Sequence, residues 1–321
     1  MPCIFRTKTV GDTKRKILTC FMSFINHLIK YTLPALPKWF ARPFAKPYVA
    51  GETSEQALKH VKTINEKGFS ATIDILGEHI TDIDEAQKIT EQYCDLYDQI
   101  NHQSLDCNLS IKPTHVGLRI SLNKAITNIT KILDQAKKNN NFLRMDMESS
   151  VYTDHTFEIY NLCKQSYEHV GVVIQSYLHR SLKDIEIMSG NNLNARICKG
   201  IYKEEKTIAF QDRKKVKENF LTLAKTMAAN GAYAGYATHD QDLIDQLLQW
   251  IQSESIDPNR FEFQTLYGVP MQGRLEELID KGYKVRVYVP FGPDWFDYSL
   301  RRLKENPAIA RYVIKNMFKH E

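Results

Sequence analysis

The sequence predicts an α/β fold, a (β/α)8 TIM-type barrel with a helical extension at its N-terminus. Three observations carry that expectation. Eight short strand-like segments recur from Ala71 to Val289, helical periodicity fills the intervals between them, and the repeat occupies about 250 residues, the size and rhythm of such a barrel. A doubly wound open sheet is the alternative, and it ordinarily uses fewer strands.

The elements follow in order. Residues 1–50 stand apart: Ile17, Leu18, Phe21, Phe24, Ile25, Leu28 and Ile29 recur at helical spacing behind Lys14, Arg15 and Lys16. Asn26, His27 and Lys30 interrupt the apolar run, so it is too short and too polar to span a bilayer. A basic amphipathic helix of this kind either lies on an anionic membrane surface or covers one end of a domain. No small-residue cleavage site follows it, which argues against a secretory signal; an organelle transit peptide stays open, although lysine outweighs arginine.

From residue 51 to residue 321 the chain reads as one catalytic domain. Thr53 and Gln56 have capping-box spacing for a helix that runs to about Lys67, with Gly68 as its stop. Strands are expected at Ala71–Leu76, Leu109–Lys112, Leu143–Met147, Val170–Ser176, Ala195–Gly200, Tyr233–Thr238, Phe261–Leu266 and Val285–Val289. Between them, Ile83, Ala86, Ile89, Tyr93, Tyr97 and Ile100 trace one buried helical face. Leu243, Ile244, Leu247, Leu248 and Ile251 trace another.

The last strand alternates Val285, Val287 and Val289 with Arg286, Tyr288 and Pro290. Phe291, Gly292 and Pro293 are expected to break it, and Asp294 to cap a helix running through Lys304. On that helix Tyr298, Arg301, Arg302 and Glu305 share one face. An aromatic ring beside two guanidiniums suits a small carboxylate-bearing ligand, because arginine grips carboxylate through a planar fork. A solvated basic helix face would look the same taken alone.

Bulk properties narrow the function class. At 321 residues, 43% hydrophobic and 25% charged, the chain is an ordinary globular protein with material for a large core. Nine Lys or Arg against Asp12 alone give residues 1–50 a net charge of +8, which leaves −3 for the rest of a chain whose total is +5. A mildly acidic body gives no support for a nucleic-acid groove. Cys3, Cys20, Cys94, Cys107, Cys163 and Cys198 form no C-x-x-C pair and read as reduced thiols, mostly core fillers, in a cytosolic-type compartment. Metal-ligand spacing is absent, as are a Walker loop and G-x-G-x-x-G.

In a barrel, chemistry collects where strands end at the C-terminal face. Here those ends bring Asp74, Glu78, Lys112, Asp146, Glu148, Gln175, Arg196, Lys199, Thr238, His239, Gln264 and Tyr288. Any one of them taken singly is most simply a satisfied loop residue. A polar or ionisable group from every strand is less easily dismissed. Two lysines at strand ends, Lys112 and Lys199, would permit Schiff-base chemistry.

Several motifs, in order from Phe44 onward, resemble the proline dehydrogenases, FAD-dependent enzymes on a distorted (β/α)8 barrel. They are YVAGET at 48–53, DILGE at 74–78, SIK at 110–112, RMDME at 144–148, RICKGIY at 196–202, ATHD at 237–240, EFQTLYG at 262–268 and Y-x-x-R-R at 298–302. The length and the AGET lead-in look like the single-function bacterial-type enzymes. The resemblance implies that Arg301 and Arg302, with Lys112, clamp the proline carboxylate. It implies that Tyr298, Tyr288 and Leu266 pack on the pyrrolidine ring, that Asp74 supports the substrate end, and that Glu78 pairs with Arg301 as a gate. Asp146, Gln175, Arg196, Lys199, Gly200, Tyr202, Thr238, His239 and Gln264 match family contacts to FAD, with Arg196 near flavin N5 and Glu305 near the adenine end.

The implied reaction is oxidation of L-proline to 1-pyrroline-5-carboxylate by hydride transfer to the flavin, the first step of proline catabolism. A membrane quinone is the implied acceptor, and a downstream aldehyde dehydrogenase the implied recipient of the product. The implied location is cytoplasmic, peripheral on the inner face of the membrane. The chain departs from the family pattern at Ile201, where alanine is usual, at Asp240 in place of asparagine, at Met145 and Met147 around Asp146, and in KPTHVG after Lys112. Asp240 would disfavour a nearby phosphate unless a lysine offsets it.

Three alternatives remain at this stage. Hydroxyproline oxidation shares most of the motifs, and Tyr298 argues against it. A Schiff-base aldolase would use Lys112 or Lys199. A barrel that has lost activity draws only on Ile201 and Asp240.

Overall fold

A computed structural model of the chain describes residues 47–189, 192–296 and 298–299. Its centre is a closed barrel of eight parallel strands paired in chain order. They are β1 (Ser70–Ile75), β2 (Cys107–Ile111), β3 (Leu143–Met145), β4 (Val170–Gln175), β5 (Asn194–Cys198), β6 (Tyr233–Ala237), β7 (Phe261–Leu266) and β8 (Val285–Phe291). Closure is made between the last strand and the first, in register from Ser70↔Arg286 to Ile75↔Phe291.

Helix α1 (Ser54–Glu66) leads into β1. The others follow the strands: α2 (Ile83–His102), α3 (Leu122–Lys138), α4 (Thr153–Ser166), α5 (Ser181–Met188), α6 (Arg213–Ala229), α7 (Gln241–Ser253) and α8 (Arg274–Asp280). The apolar core lies between the strands and this ring of helices. Leu243, Ile244, Leu247, Leu248 and Ile251 of α7 are all buried there as their spacing predicts. Each such side chain contributes about 1.5–3 kcal/mol relative to exposure.

Among the described residues, the elements predicted from periodicity are present, with local corrections. Ile83 does not join the buried face of α2; it is the first residue of that helix and is 52% exposed. Phe291 does not break β8; it completes the strand opposite Ile75, and the turn begins at Gly292. β3 and β5 end two residues earlier than expected, so Asp146, Lys199 and Gly200 sit on the loops above the strands. Thr53 caps α1 by accepting the Gln56 N–H at 3.4 Å, but the Gln56 side chain returns to Glu52 N (2.8 Å) rather than to Thr53.

The lead-in is bound into the closure. Ala50 N–H donates to Pro290 O (2.9 Å), Gly292 N–H to Gly51 O (3.0 Å), and Leu76 N–H to Phe291 O (2.7 Å).

The barrel forms one compact unit, Tyr48–Pro293. Pro47 and the residues from Asp294 onward belong to another, in which residues 295–296 and 298–299 are helical. Tyr298 lies in that second unit. The expected basic N-terminal helix, and the Arg301, Arg302 and Glu305 positions, lie outside the described residues.

Candidate active site

Alternation along each strand sends one set of side chains into the apolar core and the other into the lumen. In β8, Val285, Val287 and Val289 join the core, while Arg286 and Tyr288 reach polar partners on other strands. The lumen is largely polar. Two strand glycines give it room: a Cβ at Gly171 would stand 2.5 Å from Arg144 Nη1, and one at Gly235 2.5 Å from Gln264 Nε2. Low in the barrel, Arg286 Nε is held by both Glu262 oxygens, at 2.9 and 3.1 Å, and its Nη1 donates to Ala71 O. Arg144 donates to Val172 O, Asn194 O and Asn194 Oδ1.

Above this layer a buried network centres on Asp146. Its Oδ1 accepts from Ser110 Oγ (2.5 Å) and Arg196 Nη1 (2.7 Å), and its Oδ2 from Tyr288 Oη (2.9 Å). Arg196 also donates Nε to Gln264 Oε1 (2.5 Å), and its guanidinium carbon lies 5.1 Å from the Tyr288 ring centroid. Gln264 passes its amide to Glu262 Oε1, so the upper and lower layers are connected. Burial, with Asp146 and Asp74 nearby, raises the Tyr288 pKa and keeps the phenol protonated.

A second cluster sits at the ends of β1 and β2. Lys112 Nζ is paired with Asp74 Oδ2, and Asp74 is fully buried. Tyr93 of α2 donates its hydroxyl to Asp74 Oδ1 (3.2 Å) and accepts the Ile75 N–H (3.3 Å). Burial works against the Lys112 charge, but Asp74 and Asp146 outweigh it and raise the lysine pKa. Lys112 is therefore held as an ammonium.

The loops after β1, β2 and β3 meet at Thr114. A 3-10 turn over Pro113–Val116 follows Lys112 directly. Thr114 N–H donates to Glu148 Oε2 (2.9 Å), and Thr114 Oγ1 donates to Glu148 Oε1. The same hydroxyl accepts the His79 N–H (3.0 Å), and Thr114 O accepts the Ile80 N–H (3.2 Å). Glu78 accepts from Tyr202 Oη at 3.0 Å.

On the opposite side of the mouth, Lys199 and Lys217 each bring Nζ to 2.7 Å from Asp240 Oδ2. Asp240 also caps α7. Burial opposes its ionisation, but the two lysines overcome this and hold its pKa at about 2. His239 Nε2 accepts the Leu266 N–H (2.9 Å), which leaves the ring proton of the neutral imidazole on Nδ1. Thr238 Oγ1 accepts the Asp240 N–H at 3.2 Å. Gly200 has φ +98°, and a Cβ there would meet the Tyr177 ring at 2.2 Å. Gln175 donates to Met147 O (3.4 Å), and its buried Oε1 has no partner among the described residues.

Every site position expected on the strand ends is therefore placed on the C-terminal side of one barrel. Asp74 and Lys112 pair directly, and Asp146, Arg196, Tyr288 and Gln264 form one network. The expected Glu78–Arg301 gate lies outside the described residues. Ile201 is 52% exposed on the loop after β5. Sequence reasoning missed Tyr93, Ser110, Thr114 and Lys217. Ser110 lies inside the SIK motif, which was the available signal. Tyr93 reads as one more apolar position of a helix face, and nothing around Lys217 marks it.

Residues 57–315 match the sequence profile of the family described as Proline dehydrogenase. Proline dehydrogenase 1 of Bacillus subtilis subsp. natto is 41% identical over 275 residues, covering 86% of this chain and 91% of the relative. The proline dehydrogenase of Deinococcus radiodurans is 34% identical over 280 residues, covering 86% and 90%. Among solved structures, proline utilization A (PutA) from Bdellovibrio bacteriovorus, inactivated by N-propargylglycine, superposes with a TM-score of 0.79 at 20% identity. That likeness concerns the fold; it covers 89% of this chain, which spans 37% of the length of that one.

Proposed function

The chain belongs to the proline dehydrogenase family, and on that premise we propose that it oxidises L-proline to 1-pyrroline-5-carboxylate with FAD as its resident cofactor. The observation that carries the reading is the joined pair of clusters at the mouth: the Asp74–Lys112 pair beside the Asp146–Arg196–Tyr288–Gln264 network.

The residues present fit a flavin. Gln175 keeps a buried oxygen without a partner among the described residues, suited to a ring N–H donor. Arg196, Lys199, Thr238 and His239 bring donors, and Gly200 holds a left-handed bend that a side chain would obstruct. Asp146, Gln175, Arg196, Lys199, Gly200, Tyr202, Thr238, His239, Gln264 and Glu305 would hold the cofactor. When bound, FAD supplies a two-electron acceptor at its N5.

The protein's own share is orientation and charge. Lys112, fixed as an ammonium by Asp74, supplies one positive contact to the substrate carboxylate, and Arg301 with Arg302 the others. Tyr288, held by Asp146, would pack with Leu266 against the pyrrolidine, a role the family pattern also gives to Tyr298. The family pattern would pair Glu78 with Arg301, a position outside the described residues. Proline bound as the free amine gives up a hydride from C5 and a proton from nitrogen, and the C5–N bond becomes double.

A charged Lys112 does not favour the Schiff-base alternative, because a nucleophilic lysine needs a lowered pKa. Lys199 is engaged in an ion pair with Asp240. Reoxidation by a membrane quinone, peripheral contact with the inner membrane face and hand-off of the product to an aldehyde dehydrogenase complete the proposal. The basic N-terminal segment supports the membrane part, and no helix among the described residues is long and apolar enough to cross a bilayer.

The test is the visible spectrum of the purified protein, followed by L-proline without oxygen. A flavin band that bleaches with L-proline, and not with trans-4-hydroxy-L-proline, is expected. Bleaching by hydroxyproline alone would reassign the substrate. A colourless protein that added FAD cannot reconstitute would end the dehydrogenase reading, and borohydride trapping at Lys112 or Lys199 would replace it.

A further inference from the structure

Glu148 is a buried carboxylate at the mouth of the barrel that the proposed chemistry does not use. Its exposure is 0%, and both of its oxygens are taken by Thr114. Each oxygen is engaged by Thr114 and shielded from solvent. Thr114, also at 0%, is committed on every polar group: its N–H and hydroxyl to Glu148, the hydroxyl again to His79 N–H, and its carbonyl to Ile80 N–H.

What these bonds hold is backbone that would not hold itself. Glu78 lies between Gly77, at φ +148°, and His79, at φ +66°. A non-glycine residue in the left-handed region persists only where its surroundings over-determine it. The two bonds from Thr114 do this for His79 and Ile80. Beneath them the His115 ring occupies the space beside Gly77, where a Cβ would fall 2.3 Å from Nε2. Thr114 is also two residues beyond Lys112, on the turn that ends β2. One hydroxyl thus joins the loop that bears Glu78 to the turn that bears Lys112, with Glu148 anchoring both from the end of β3.

We propose that Thr114 and Glu148 are positioning residues that lock the Glu78 loop and the Lys112 turn into one unit, and so set the affinity of the mouth for its substrate's carboxylate. The substrate named here rests on the reading given above; the mechanical coupling of the two loops does not. Valine at 114 keeps the shape and the backbone N–H to Glu148, and removes both the hydroxyl donor to Glu148 Oε1 and the acceptor for His79. Serine keeps both.

The experiment uses the full-length, flavin-loaded protein and two readouts. The first is amide hydrogen exchange at His79 and Ile80 without substrate. The second is steady-state oxidation of L-proline with a dye acceptor. Thr114→Val should speed exchange at both amides by about tenfold and raise KM for L-proline by about tenfold, with kcat changed by less than about threefold. Thr114→Ser should return both readouts to within about twofold of the parent. Glu148→Gln keeps the carboxylate's shape but cannot accept from both Thr114 donors, so it should move both readouts in the same direction; it carries the test should Thr114→Val not fold.

Unchanged exchange in Thr114→Val would overturn the coupling, whatever the substrate. Faster exchange with an equal loss of kcat and no change in KM would overturn the link to carboxylate affinity. Faster exchange in the variants, in a protein that never oxidises L-proline, would sustain the coupling and remove the substrate reading instead.

Discussion

The Lys217 ammonium lies 2.7 Å from Asp240 Oδ2, the same oxygen that Lys199 reaches at 2.7 Å. One carboxylate thus carries two cations beside the loop assigned to the cofactor, while Lys217 also reaches Asp242 on the solvent side at 3.9 Å. Asp240, a departure that would by itself repel a phosphate, is offset from α6. We expect Lys217→Met to weaken flavin retention by about five- to tenfold, read by flavin fluorescence during equilibrium dialysis. In an Asp240→Asn background the same change should cost less than about twofold. Equal losses in both backgrounds would mean that Lys217 acts independently of Asp240.

Asp146 is the hub of the upper lumen, and removing its charge leaves Arg196 buried beside Gln264 with no counter-ion on its Nη1 side. Breaking one partner of a buried pair ordinarily costs about 3–5 kcal/mol. Asp146→Asn should lower stability by that order in urea unfolding of both the flavin-loaded and the flavin-free protein. A loss seen only with flavin bound would place the role of Asp146 in the cofactor rather than in the barrel.

Two buried groups on neighbouring loops oppose one another in pH. Burial raises Glu148 from an ordinary 4.5 to about 7, against the pull of Thr114. Burial, with Lys112 nearby, lowers His115 from 6.5 to about 3. The raised Glu148 contributes stability that is complete below its unfolded pKa and is lost as pH rises through 7. The depressed His115 contributes stability that is present above 6.5 and is lost as pH falls toward 3. Glu148→Gln should therefore leave a protein whose stability climbs more steeply with pH from about 5 to 7 than the parent's. His115→Gln should do the reverse. Parallel stability curves for all three proteins would refute both assignments.

Gly200 combines φ +98° with a Tyr177 ring 2.2 Å from where a Cβ would stand. Gly200→Ala is penalised twice, in backbone and in contact, and should cost more than about 1 kcal/mol. Gly231 has φ +66° and open space around its Cβ position. Gly231→Ala should therefore cost less, and thermal melts of the two variants separate backbone strain from steric contact.

The barrel and its mouth were legible to different depths. Strand positions could be read because β-branched alternation, as in Val285, Val287 and Val289, is a local property, and the five apolar residues of α7 obey helical spacing without exception. The strand-end polar residues could be listed for the same reason. Their pairing could not. That Tyr288 and Asp146, 142 positions apart, share a hydrogen bond depends on how eight strands close, not on either neighbourhood. Tyr93 was hidden because an aromatic on a buried helix face gives no sign that its hydroxyl reaches a carboxylate. Thr114 and Lys217 were hidden because their partners lie on other loops. Ile83 misled because periodicity carries no information about where a helix begins.

The tie between the lead-in and the last strand has a consequence for how the chain is made. Ala50 and Gly51 find their hydrogen-bond partners only at Pro290 and Gly292, and β1 finds one of its two neighbours only in β8. A ribosome that has delivered seven strands has produced an open sheet with a bare edge on each side. The first residues of the unit must wait, unpaired, for nearly its last. Closure thus waits for β8, and until it arrives the exposed edges of β1 and β7 mark the interval in which the sheet is most open to mispairing with a second copy.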